Sequence, residues 1–212
     1  MTKKMFEFSP MKNATKRLQQ QIEFILEIDK LKQVMRRTPL LDKSRNENDA
    51  EHSWHLAMLA MILAEYASPE VNVNRVIRML LIHDLVEIDA GDTFLYDESP
   101  AASLKDEREL NAAKRIYGLL PDDLSLELME LWKEFEERKT EDAKFAAGLD
   151  RLQPLLHNYF TGGGAWASHN VSADKVIAKK YLIEEASQIL GSLAEEFIVY
   201  ADPSKVFQIC YP

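Results

Sequence analysis

The stretch Met79-Leu80-Leu81-Ile82-His83-Asp84-Leu85-Val86-Glu87-Ile88-Asp89-Ala90-Gly91-Asp92 sets two adjacent polar groups, His83 and Asp84, straight after an apolar run. Burying such a pair beside a core is costly unless a partner compensates it. A divalent cation suits a neutral imidazole and a carboxylate together. Residues three or four apart share a helix face, so His83, Asp84 and Glu87 can point into one cleft. Gly91 then breaks the helix, and a loop can bring Asp92 back toward the same place. A second cluster, Glu51-His52-Ser53-Trp54-His55, precedes another apolar segment, so three of the chain's five histidines fall in these two places.

Outward from these clusters, helical periodicity fits nearly everywhere. Leu18, Ile22, Ile25, Leu26 and Leu31 give an amphipathic helix over 14–37, ended by Pro39. Residues 40–50 read as a polar loop with Asn46, Asn48 and Asp49 as turn or cap residues. A helix over 50–66 is apolar almost all round from Leu56 to Ala64 and is expected to be central. A third, capped by Asn72 or Asn74, runs to about Ile88. Helices over 101–117, 121–138 and 141–160 follow, with Pro154 expected to kink the last. Residues 161–170, with their three consecutive glycines, read as a mobile surface loop, and 172–197 as one final helix. The expected fold is all-α, a single helical domain over 1–212 with its core in about 14–160.

The composition fits that reading. Hydrophobic residues make up 46% of the chain, enough for a sizeable core, and only seven glycines occur. The formal charge is −9, with 35 acids against 26 bases and no basic stripe, so a nucleic-acid partner is not expected. The single cysteine, Cys210, allows no intrachain disulfide and fits a reducing compartment. Met1-Thr2-Lys3-Lys4 leads into no apolar signal core, and the longest apolar run, Leu56 to Ala64, is too short to span a bilayer. A soluble cytoplasmic protein is expected.

Spacing alone leaves two readings of the polar cluster open. His52 lies at the start of its helix, on the side continued by Leu59 and Leu63, and Asp150 sits among small and apolar residues in Gly148-Leu149-Asp150-Arg151-Leu152. These can be metal ligands. They can equally be hydrogen-bonded core histidines, with Asp84 as a cap and Asp150 paired to Arg151.

Glu51-His52-Ser53, then His83-Asp84, then Asp150 in Leu149-Asp150-Arg151-Leu152 resembles the H…HD…D signature of the HD-domain metal-dependent phosphohydrolases. Within that superfamily it looks like the branch of bacterial 5′-deoxynucleotidases and the HD-domain-containing protein 2 group. There the doublet is followed by a Glu and a Gly-Asp, as in Glu87 and Gly91-Asp92 here. The upstream Arg37-Thr38-Pro39-Leu40 is similar to the stretch in which family members place a phosphate-contacting arginine.

The resemblance implies one divalent cation, manganese, cobalt, zinc, iron or nickel, held by His52, His83, Asp84 and Asp150. It implies catalytic roles for Glu87 and Asp92, and substrate binding by Arg37 and Thr38, with Arg36 as the alternative base. The implied reaction is hydrolysis of a small phosphate ester, a nucleoside 5′-monophosphate, by a cytoplasmic homodimer. A diesterase, a triphosphohydrolase or a non-catalytic metal-bound nucleotide sensor stands as the alternative. Where the deoxynucleotidases have a tryptophan after the arginine this chain has Thr38, which leaves the choice of sugar open. His55 is read as a neighbour of the site and Trp54, Met58, Met61 and Met79 as core. His157 is read as too far from Asp150 to share an ion, at roughly 10 Å along the helix. His169 and Trp166 are placed in the flexible loop.

Overall fold

The computed structural model of the protein describes residues 13–96 and 104–201. Cys210 and the first four residues lie outside that range, as does the start of the helix expected from residue 101. Helix α1 (Lys16–Ile28) is capped by Thr15, whose hydroxyl accepts from the Leu18 amide. It tightens into a 3-10 turn at Asp29–Gln33 and gives way to strand β1 (Met35–Pro39). The expected helix to Arg37 is therefore corrected. Strand β1 pairs antiparallel with β2 (Asn46–Asn48), and the Asn46 side chain donates to the Arg36 carbonyl oxygen.

Helix α2 (Asp49–Ile62) starts on a capping box: Asn48 accepts from the Glu51 amide, and the Glu51 carboxylate accepts from the Asn48 amide. Helix α3 (Val73–Ile82) is capped by Asn72. It then winds into a 3-10 turn, His83–Val86, followed by the short α4 (Glu87–Ala90). Helices α5 (Lys105–Tyr117), α6 (Asp122–Glu137) and α7 (Glu141–Phe160) form the second half of the core. Pro154 lies within α7 without dividing it. The expected final helix over 172–197 is three pieces: α9 (Ala173–Ile177), α10 (Tyr181–Ala186) and α11 (Gln188–Ala201). The expected loop over 161–170 contains a five-residue helix, α8 (Gly164–Ser168).

Two apolar clusters result. One joins Leu56 and Ala60 of α2, Met79 and Leu80 of α3, Phe145, Leu149 and Leu152 of α7, and Ile183 and Ile198 beyond. The other joins Phe24, Leu31, Leu85, Val86, Ile116, Tyr117 and Trp132. Each fully buried Leu, Ile or Phe side chain contributes about 1.5–3 kcal/mol from the area removed from water. The 3-10 turn carries His83 and Asp84 at the seam, between Leu80 of one cluster and Leu85 of the other. The Tyr117 hydroxyl, donating to the Ile82 carbonyl oxygen at 3.0 Å, ties the seam to α5.

Helix α2 is covered on one side only. Trp54 is 62% exposed and Ile62 66%, and Met58 and Met61 are exposed with them, so of the residues read as core only Met79 is buried. No helix among the described residues is long and apolar enough to cross a membrane.

Candidate metal centre

His52, His83 and Asp150 offer ligand atoms that all lie within 4.8 Å of one another, each side chain buried. They come from α2, the 3-10 turn and α7. The Nε2 of His52 lies 3.0 Å from Asp150 Oδ1, and the Nε2 of His83 lies 3.7 Å from the same oxygen. Asp84 faces two ways. Its Oδ1 is 3.1 Å from His83 Nε2, while its Oδ2 is 2.9 Å from Arg36 Nη1 and 3.9 Å from His52 Nε2. A second buried group, Asp49, Asp84 and Glu87, adjoins the first through Asp84.

The remaining ring nitrogens fix what the inner ones present. His83 Nδ1 is 2.9 Å from the Leu80 carbonyl oxygen, which can only accept. That nitrogen therefore carries a hydrogen, and Nε2 faces the carboxylate oxygens of Asp84 and Asp150. Two imidazole nitrogens and two carboxylates converging on one buried point need a cation between them, a proton or a metal ion. That donor set, two nitrogens with two hard oxygens, fits a divalent transition metal.

The electrostatics agree. Burial works against charge on His83, but the charges and hydrogen bonds of Asp84 and Asp150 outweigh it and push the imidazole up to about 10. Burial works against the Asp150 carboxylate too, yet Arg151 and the two histidines hold it well below the carboxylate range. The same field that would hold a proton there would hold a metal ion.

Beside this centre, Arg36 is nearly enclosed. Its Nη1 also reaches Asp49 Oδ1 at 3.2 Å, and its Nε lies 3.5 Å from Glu47 Oε1. Burial pushes Asp49 up to about 6, helped by the Asp84 charge, and Glu87 rises well above the carboxylate range for the same reasons. Asp49, Asp84 and Glu87 offer oxygens within 4.8 Å of one another, so a proton on one of them relieves the repulsion. Gly91, at φ 75°, turns the chain after α4 in the left-handed region that a side chain disfavours. Asp92 follows on the wall of the cleft, where burial raises its carboxyl against the Arg36 charge.

That cleft is open to solvent and is lined by Arg36, Arg37, Thr38, Asp92, Phe94 and Trp166 among others. Strand geometry sends successive side chains to opposite faces. Arg36 thus enters the carboxylates, while Arg37 stays exposed with its guanidinium 5.4 Å above the Phe94 ring. Trp166 reaches the cleft because Gly164, at φ 39°, lies tight against Thr161, Asn158 and Pro39, where a Cβ would collide. His169, at the end of α8, has its ring 4.9 Å from Phe94. Trp166 and His169 are thus on and beside α8, against the expectation of a loop.

Of the residues singled out from the sequence, His52, His83, Asp84, Glu87 and Asp150 meet at the seam. Asp92, Arg37 and Thr38 face the adjoining cleft. Sequence reasoning missed Glu47 and Gln153 and read Asp49 only as a cap. Gln153 had a usable signal, lying three residues after Asp150 on the same face of α7.

An HD domain family model matches residues 28–190. The 5′-deoxynucleotidase HDDC2 of Mus musculus is 38% identical over 110 residues, 52% of this chain and 53% of that protein. The 5′-deoxynucleotidase HDDC2 of Homo sapiens is 34% identical over 136 residues, 64% of this chain and 65% of that protein. The chain thus spans about half to two thirds of the length of these curated relatives. The crystal structure of a predicted metal-dependent phosphohydrolase from Magnetospirillum magnetotacticum MS-1 superposes with a TM-score of 0.84 at 55% identity. That match covers 87% of this chain and 92% of the other. The family model begins at the end of α1 and ends within α11, so it takes in most of both apolar clusters and the centre at their seam: the chain belongs to the HD domain family.

Proposed function

We propose that this chain is a metal-dependent phosphohydrolase, a phosphomonoesterase acting on nucleoside or deoxynucleoside 5′-monophosphates. The observation that carries this is the convergence of His52, His83 and Asp150 at a buried point beside a cleft with arginine and aromatic walls. His52, His83, Asp84 and Asp150 would hold one divalent ion. Such an ion supplies a Lewis acid for a phosphoryl oxygen and a bound water of lowered pKa. The names of the curated relatives support the mononucleotide.

The protein's own groups divide the remaining work. Arg37 makes no ion pair among the described residues and stands on the cleft wall, free to grip a phosphate with its planar fork. Arg36 is already engaged by Asp84 and Asp49, so its work is to hold those carboxylates in place. Glu87, buried beside Asp49 and Asp84 with its carboxyl raised well above the carboxylate range, suits proton transfer to or from water. Asp92 takes the complementary contact at the cleft, with the leaving oxygen or the sugar. Thr38 and Phe94 offer a wall for the sugar and Trp166 one for the base.

The proposal includes a single HD-type domain in the cytoplasm, acting as a homodimer. The exposed apolar face of α2, Trp54, Met58, Met61 and Ile62, supports the pairing. Sedimentation at micromolar concentration reads it, and a Trp54→Glu variant is expected to sediment as a monomer. The activity itself is tested by a phosphate-release screen of mononucleotides with and without divalent ions. Release from monoesters supports the reading, and release only from diesters or triphosphates replaces it.

A further inference from the structure

We propose that Gln153 is a positioning residue that aims His52 at the metal centre and ties that centre to the substrate-facing strand β1. The inference rests on the reading of His52 as a ligand. Gln153 is 0% exposed and faces from α7 toward His52 of α2 and Glu47 of β2. Its Nε2 is 2.9 Å from Glu47 Oε2. A carboxylate oxygen accepts only, so the nitrogen end of the amide faces Glu47, and the oxygen end faces His52 Nδ1 at 3.2 Å.

Two consequences follow from that orientation. First, His52 Nδ1 carries the hydrogen, with Gln153 Oε1 at 3.2 Å and Glu47 Oε1 at 3.5 Å as its acceptors. Its Nε2 is left as a lone pair directed at the centre, 3.0 Å from Asp150 Oδ1. An outer hydrogen bond of this kind fixes the tautomer and ring orientation of a ligating histidine. Second, the other amide hydrogen of Gln153 meets His157 Nε2 at 3.1 Å, with His55 Nδ1 as a more distant acceptor at 3.3 Å. The Nδ1 of His157 donates to the Pro39 carbonyl oxygen at 3.0 Å. One unbroken run of donors, His52 to Gln153 to His157 to Pro39, thus links a metal ligand to the strand that carries Arg36, Arg37 and Thr38.

Asp150 and Gln153 lie three residues apart on α7, so one helix face supplies a ligand and the group that orients another ligand. Arginine and carboxylates alone would not achieve this, because none of them both accepts from His52 and donates to His157.

The test uses two substitutions in the full chain, Gln153→Met and Gln153→Glu, with Mn²⁺ as the probe. Mn²⁺ affinity is measured by competition with a chromophoric chelator, alongside thermal unfolding of the metal-free proteins. Gln153→Met removes both arms and is expected to weaken Mn²⁺ binding about 10–100-fold. Gln153→Glu keeps the acceptor for His52, keeps a donor toward Glu47 by holding a proton between the two carboxyl groups, and loses the donor to His157. It is expected to bind Mn²⁺ at least as tightly as the wild type while raising KM for a nucleoside monophosphate with kcat little changed. Wild-type affinity in Gln153→Met overturns the proposal. So does a Gln153→Glu protein whose affinity falls, and that arm decides the matter if Gln153→Met does not fold. A wild-type protein that binds no Mn²⁺ instead sinks the metal reading on which this one stands.

Discussion

The Nδ1–H of His83 donates to the Leu80 carbonyl oxygen at 2.9 Å, which turns its Nε2 toward Asp84 Oδ1 at 3.1 Å. A 3-10 turn makes this possible by carrying the ring back over the last turn of α3. The inner nitrogen then faces carboxylate oxygens, where it takes either a proton or a metal ion. His83→Ala and Asp84→Ala should each abolish metal binding together with phosphate release. Elemental analysis of the purified variants checks this, and full metal content in both would show that other residues hold the ion.

On the proposed reading Glu87 serves proton transfer and not ligation. It is buried beside Asp49 and Asp84, and burial with their charges raises its carboxyl well above the carboxylate range. Glu87→Gln should retain the metal while turnover falls about 10²–10⁴-fold, the usual worth of a positioned acid or base. A variant that turns over at the wild-type rate would remove Glu87 from the chemistry.

The two arginines of β1 should fail differently. Arg37→Ala removes a charge-assisted contact from the cleft and should cost about 1.5–3 kcal/mol of substrate binding, seen as a raised KM. Arg36→Ala strips the cation from Asp49, Asp84 and Glu47, and leaving buried charges uncompensated should cost about 3–5 kcal/mol of stability. Denaturant unfolding and steady-state kinetics separate the two. Equal unfolding midpoints for the variants would contradict the division of labour.

Glu109 gives the fold a pH dependence away from the metal. Burial pushes its carboxyl up to about 7 against the pull of Lys105, whose Nζ lies 3.3 Å away. The folded state therefore holds a proton that the unfolded chain, at about 4.3, releases earlier. The stability this contributes is full below about pH 4.3 and is lost as pH rises through about 7, a change of about 4 kcal/mol. Glu109→Gln should flatten that part of the profile and be the more stable protein at pH 8. Parallel wild-type and variant profiles from pH 5 to 8 would contradict it.

Much of the centre was legible because polar groups stand inside apolar runs. His83-Asp84 follows Met79 to Ile82, and Asp150 follows Ala146 to Leu149, so burial and the need for compensation could be read together. The β hairpin was not legible. Residues 35–39 continue a helix-compatible pattern, and what makes them a strand is pairing with Asn46–Asn48 and the Asn46 contact to the Arg36 carbonyl. Strand formation of this kind depends on cross-strand context more than on local preference. The final helix fragments for a similar reason. Ser187 is extended, and its hydroxyl accepts from the Leu190 amide, restarting the helix where periodicity ran on. The exposed face of α2 escaped as well, because an all-round apolar helix carries no sign of which side its neighbours leave bare.

The most direct measurement is phosphate release from a deoxynucleoside 5′-monophosphate by one preparation in three states: as purified, after removal of metal by a chelator, and after readdition of a divalent ion. The account predicts that release stops on chelation and returns on readdition, with the His83→Ala protein inactive throughout. Undiminished release after chelation, or release by His83→Ala equal to the wild type, would contradict it.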